Sequence, residues 1–116
     1  MHAFEVLADD VRRRLIELLS LGEQSAGALT EIVRAEFRVS QPAVSQHLKV
    51  LREQGFATVR AEGTRRISAA DPAGLDAAEA ALARLRTPIA QRLDALHTEI
   101  ARGRRAAAST RRRDAS

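Results

Sequence analysis

The stretch from Ser40 to Gly55 admits little but a helix with both ends marked. Ser40 suits an N-cap, because its hydroxyl can accept a hydrogen bond from a backbone N–H of the first turn. Pro42 falls inside that turn, where its missing N–H costs little. Val44, Leu48 and Leu51 follow at i, i+4 and i+7 and form one narrow apolar stripe. Gly55 is a natural stop, since the residue after a helix often takes a left-handed conformation. Ser45, Gln46, Lys49 and Glu53 lie away from the stripe. A helix that buries a thin stripe and turns small polar side chains outward is free to touch something else.

The rest of the chain must support that helix with limited means. Its 116 residues suffice for one domain with a modest core, and 45% hydrophobic with 29% charged residues fits a globular chain. With no Trp or Tyr and three Phe, the core has to be aliphatic. Phe4, Val6 and Leu7 predict a short first helix. Asp9 and Asp10 are N-cap candidates for a second, in which Val11, Leu15, Leu18 and Leu19 recur at helical spacing. The run Arg12-Arg13-Arg14 lies early in it, where the helix dipole disfavours cations, and the acidic cap compensates in part. Gly22 stops this helix. A third begins near Ser25 and uses Ala28, Leu29, Ile32 and Val33, with no Gly or Pro to mark its end between Arg34 and Val39.

Beyond Gly55 the period changes. Phe56 to Ala61 and Thr64 to Ser68 flank Glu62-Gly63 and predict a β-hairpin with a tight turn, too short to stand without the helices. Asp71-Pro72 restarts a helix. Leu75, Leu82, Ile89 and Leu96 then repeat every seven residues, joined by Ala78 and Leu85 and later by Leu93 and Ile100. Thr87-Pro88 interrupts this run, yet the apolar phase continues, which predicts a kink and not a loop. From Arg102 onward there is no apolar stripe, and residues 104–116 read as a disordered tail.

Several functions are excluded. Without cysteine there is no disulfide, thiol nucleophile or thiolate metal site. No apolar run approaches the ~20 residues needed to span a bilayer. The first residues lack the basic and apolar regions of a signal peptide, so the expected compartment is the cytoplasm. No Gly-rich phosphate loop, nucleophile–base pair or metal-ligand cluster suggests an enzyme or a cofactor.

Three helices, a helix with an exposed polar face and a Gly-turned hairpin follow one another in the order of a winged helix-turn-helix. The fold class is therefore mainly α with a small β-hairpin. Here the resemblance becomes specific. Val6-Leu-Ala-Asp-Asp-Val-Arg-Arg-Arg-Leu-Ile-Glu-Leu-Leu resembles the opening of the ArsR/SmtB-family bacterial repressors. Ser40-Gln-Pro-Ala-Val-Ser-Gln-His-Leu-Lys-Val-Leu-Arg-Glu-Gln-Gly55 resembles their recognition helix, and Glu62-Gly63-Thr64-Arg65-Arg66 their wing. The resemblance covers residues 4–86. It departs from the family in the stretch from Ile32 to Val39, which is longer and lacks the usual Gly, and in the wing, where Ser68 stands near the place of an aromatic.

The resemblance implies a DNA-binding transcriptional repressor, and the residues agree. A helix entering a major groove about 12 Å wide needs small polar side chains near its N-terminus. Ser40, Gln41, Ser45 and Gln46 meet that need, and a Gln amide can bond adenine N6 and N7 together. Lys49 and Arg52 suit phosphates, and Arg60, Arg65 and Arg66 on the wing suit the backbone or the minor groove. His47 lies beside the apolar stripe, in position for a structural hydrogen bond or a phosphate. Each of these residues also has the plainer reading of a solvated surface group. The net charge of +4 adds little, because residues 102–116 alone sum to +5. The local +4 of residues 38–66 is more telling.

Many members of this family sense metals. One of their sites needs cysteines, which this chain lacks, and another uses Asp and His pairs on the last helix with two His about three turns apart, where His97 is the only histidine. No metal is therefore expected, and the resemblance leaves room for an unknown small-molecule inducer. The long apolar stripe predicts a homodimer through Phe4, Leu7, Leu82, Ile89, Leu93, Leu96 and Ile100. The expected organisation is a DNA-binding domain over 1–70, a kinked dimerisation helix over 71–103 and a basic tail over 104–116. The expected partners are double-stranded DNA, as a palindromic operator, and a second copy, with no membrane. The alternatives are a protein-interaction winged helix and a sequence-blind architectural DNA binder.

Overall fold

Each helix of the N-terminal unit begins where the sequence supplies a cap. The computed structural model describes residues 1–115, with side chains through residue 108. Helix α1 (Ala3–Leu7) starts at His2, whose Nδ1 accepts the Phe4 N–H at 3.0 Å while its own backbone N–H donates to Glu5 at 3.2 Å. Helix α2 (Asp10–Ser20) starts at Asp9, which accepts the Arg12 N–H at 3.0 Å. The short strand β1 (Gln24–Ser25) leads into α3 (Ala26–Glu36), capped by Ser25 through the Ala28 N–H. Helix α4 (Gln41–Glu53) starts at Ser40, with Pro42 in its first turn, and Gly55 just past its end has φ 80°. Strands β2 (Ala57–Glu62) and β3 (Arg65–Ala70) follow, and α5 runs from Ala73 to Ala115.

The arginine run that looked misplaced on α2 serves the end of α1. Arg12 donates to the Val6 and Glu5 carbonyls at 2.9 and 2.8 Å, and Arg13 to the Leu7 carbonyl at 2.6 Å. These are carbonyls at a helix C-terminus, where a cation is favourable. Arg14 makes two bonds to the Glu36 carboxylate, at 2.7 and 2.9 Å, and so ties α2 to the end of α3.

The turn before α4 explains how the chain manages without the family's glycine. Phe37 ends α3 in an extended conformation, φ −125° and ψ 149°, and its N–H reaches the Val33 carbonyl at 2.8 Å. Val39 then donates to the Phe37 carbonyl at 3.0 Å. No residue of this turn has a positive φ, so none needs to be Gly. Phe37 and Val39 both pack against the core and hold the turn in place.

The sheet has three antiparallel strands in the order β1-β3-β2, where only a hairpin was expected. Gln24 and Ser25 pair with Ser68 and Ile67, and two residues are too few to show a strand period. Ser68 is therefore buried in the central strand. Gly63, at φ 61°, opens the two-residue turn, a position that favours Gly in hairpins. The core beneath is aliphatic, with Val6, Leu15, Leu29, Val33, Val44 and Leu51 fully buried.

Helix α5 begins against this body. Asp71 accepts the Ala73 N–H at 3.0 Å, and the Gly74 N–H reaches the Gly55 carbonyl at 2.7 Å. A Cβ at Gly74 would meet the Phe56 ring at 2.5 Å, so only glycine lets this turn lie on that ring.

Residues 1–79 form one compact unit and residues 80–116 a second. The second unit is helical, and α5 runs unbroken through Pro88, as the continuous phase predicted. Leu82, Leu85, Ile89, Leu93, Leu96 and Ile100 are all exposed on it, at 44–59%. Residues 104–115, expected as a disordered tail, continue the helix to Ala115. Arg and Ala are among the strongest helix formers, and a missing apolar stripe removes a reason to pack, not a reason to be helical. Ser116 and the side chains of Arg111–Arg113 lie outside the described residues.

Candidate nucleic-acid interface

Burial of Val44 and Leu51, with Leu48 half-buried against the core, fixes which way α4 faces. Gln41, Ser45, Gln46, Lys49 and Arg52 are left exposed. Ser40 is exposed too, but its hydroxyl is engaged as the cap of α4 at 3.2 Å from the Ala43 nitrogen. Gln41, Ser45 and Gln46 make no side-chain hydrogen bond to another described residue, so their polar groups are available to a ligand.

His47 turns the other way. Its Nδ1 lies 3.4 Å from an Arg12 nitrogen and its Nε2 3.9 Å from Asp9. Burial works against the Asp9 carboxylate, but the Arg12 N–H, the nearby His47 and Arg12 charges and the Val11 N–H outweigh it. The carboxyl is held below its ordinary range. His47 thus sits at the join of α4 with the start of α2.

The wing arginines divide into two kinds. Arg60 is held by Glu23 at 2.7 Å and Glu62 at 3.0 Å, and these hydrogen bonds raise its pKa. Its charge is largely answered within the protein, which separates it from the others expected to meet DNA. Arg65 and Arg66 are exposed, with no ion pair to any described residue, and the same holds for Arg52. Lys49 has only a loose contact with Glu53, at 3.9 Å.

A cleft of about 110 Å³ separates α4 from the wing. Ser45, Lys49 and Arg52 line it from α4, with Thr58 and Arg66 facing from the strands. A second, open groove between α3 and α4 is lined by Thr30, Glu31, Arg34, Gln41 and Ser45. Arg34 was not singled out from the sequence. It is exposed and unpaired among the described residues, and its place in the last turn of the preceding helix was the available signal. Two grooves thus flank the outward face of α4, each with at least one unpaired arginine.

Among the described residues, no group of three or more His, Asp or Glu side chains is placed to hold a metal ion. No helix of the described chain is long and apolar enough to cross a membrane.

Comparison with known proteins places this geometry in a family. The pattern described as "Bacterial regulatory protein, arsR family" matches residues 9–59. The chain is 44% identical to the HTH-type transcriptional regulator Rv2034 of Mycobacterium tuberculosis over 65% of this chain and 66% of the relative. Two further relatives, both named as repressors, are matched over 53% and 55% of their lengths, so the chain spans less than two thirds of its curated relatives. Among solved structures, a possible transcriptional regulator for arsenical resistance superposes with a TM-score of 0.64 at 40% identity. That match covers 73% of this chain and 84% of the other. The homodimeric winged helix-turn-helix DNA-binding domain Mb0332 of Mycobacterium bovis superposes with a TM-score of 0.53 at 27% identity, over 77% and 75% of the two chains. The curated relatives are named as a transcriptional regulator and two repressors, which are not enzyme activities. The chain belongs to the arsR family of bacterial regulatory proteins and carries a winged helix-turn-helix fold.

Proposed function

We propose that this protein is a cytoplasmic, homodimeric repressor that binds a palindromic DNA operator. The observation that carries the reading is the outward face of α4, where Gln41, Ser45 and Gln46 are exposed and unpaired. Small polar side chains there fit a major groove, and a Gln amide can read adenine. Arg52, Arg65 and Arg66 beside them supply cations for phosphates, which set affinity and register but not sequence. His47 contributes by fixing α4 on α2.

The dimer reading rests on α5. Six large apolar side chains between Leu82 and Ile100 share one face and are exposed. Such a row exceeds the scattered apolar exposure of a monomer. A second copy offering the same row would cover it, and Mb0332 is a homodimer. Phe4 and Leu7 are half-buried and leave surface for the same partner. Two-fold symmetry would set two α4 helices about 34 Å apart, on successive major grooves. Occupying a promoter in that way represses it, and the reading leaves room for an unknown small-molecule inducer.

A protein-interaction role is less well supported, since the outer face of α4 is neither apolar nor acidic. The test is a competition gel shift on the DNA upstream of the protein's own gene. Preference for that DNA over random duplex by about a thousandfold or more supports specific repression. Equal affinity for both would leave a sequence-blind binder.

A further inference from the structure

Helix α5 changes chemistry where its apolar row ends. Arg102, Arg104 and Arg105 follow Ile100 within two turns, are exposed, and make no ion pair with another described residue. At roughly 100° per residue, Arg102 and Arg105 fall on the side of the helix opposite Ile89, Leu93, Leu96 and Ile100. A partner that covers the apolar row therefore leaves them open. The stretch from 102 to 116 holds six Arg against one Asp and no large apolar residue.

We propose that the C-terminal part of α5 is a second, sequence-independent DNA-binding surface, resting on the DNA-binding reading above. Guanidinium groups bind phosphate oxygens in pairs and stay charged throughout. A helix of fourteen residues is about 21 Å long, enough to follow roughly six base pairs of backbone. A membrane surface is a poorer match, because an interfacial helix needs an apolar face and this stretch has none. An acidic protein is a poorer match too, since nothing apolar here would anchor it. The surface raises the affinity for any duplex and leaves base selection to α4.

Arginine is also a strong helix former, so these residues contribute to the stability of the helix itself. The experiment separates the two roles. The full chain is compared with a variant carrying Arg102→Gln, Arg104→Gln and Arg105→Gln, since Gln has nearly the same helix propensity as Arg. Affinity for random-sequence duplex is measured across a range of salt, with sedimentation and circular dichroism alongside. The expected result is a salt slope lower by about two to three per chain and affinity at low salt lower by about tenfold or more. Sedimentation stays unchanged. A slope equal to that of the unmodified protein overturns the proposal, and lost helicity with an equal slope assigns the arginines to the stability of the helix alone. If the unmodified protein binds no duplex at all, the DNA-binding reading falls and this one with it. If it binds and the slopes agree, this one falls alone.

Discussion

The Arg12 guanidinium lies 3.4 Å from Nδ1 of His47 while its other nitrogens hold the carbonyls of Val6 and Glu5. One side chain on α2 thus connects the end of α1 to the helix that faces outward. Arg12→Met keeps much of the stem but leaves both carbonyls without their donor. It should cost about 1–3 kcal/mol of stability, read from urea unfolding. An unchanged midpoint would show that these bonds contribute nothing net.

Gly74 and Phe56 set the start of α5. Alanine is the better helix former by about 1 kcal/mol, so propensity alone favours Gly74→Ala. The Cβ would nonetheless meet the ring at 2.5 Å. Overpacking of this kind costs about 1–3 kcal/mol, and the variant should be less stable in denaturant titration. A stabilised variant would mean that the Phe56 ring yields easily.

The two kinds of wing arginine should differ in binding. Arg65→Ala should weaken binding to all sequences and lower the salt slope by about one per chain. Arg60→Ala should change the slope less, because Glu23 and Glu62 already answer that charge. Equal slopes for the two variants would erase the distinction.

The proposed dimer rests on the exposed row of α5. Leu96→Asp places a charge in the middle of the expected interface, where it would be desolvated without a partner. Sedimentation should show a monomer, and operator binding should be lost with it. A dimer that survives would move the interface elsewhere.

Much of this was legible in the sequence because caps and periods are local. Ser40, Pro42 and Gly55 marked α4, and Val44 and Leu51 marked its buried side. The phase of Leu82, Ile89 and Leu96 carried the helix through Pro88. What the sequence hid depends on partners distant along the chain. Arg60 reads as a free wing cation until Glu23 is brought beside it. Gln24 and Ser25 become a strand only because β3 is there to pair with them. His47 could have served DNA or structure, and the nearby Asp9 and Arg12 favour structure. The residues from 104 onward lacked a stripe and were read as disorder, although Arg and Ala favour helix.

The most direct test of base reading is the affinity of Gln46→Ala for the operator and for random duplex, measured at one salt concentration. Gln46 is exposed and caps nothing, so the substitution leaves the fold intact. The expected result is a loss of about 1–3 kcal/mol on the operator with little change on random DNA. An equal loss on both, or none on either, would contradict sequence reading by this face of α4.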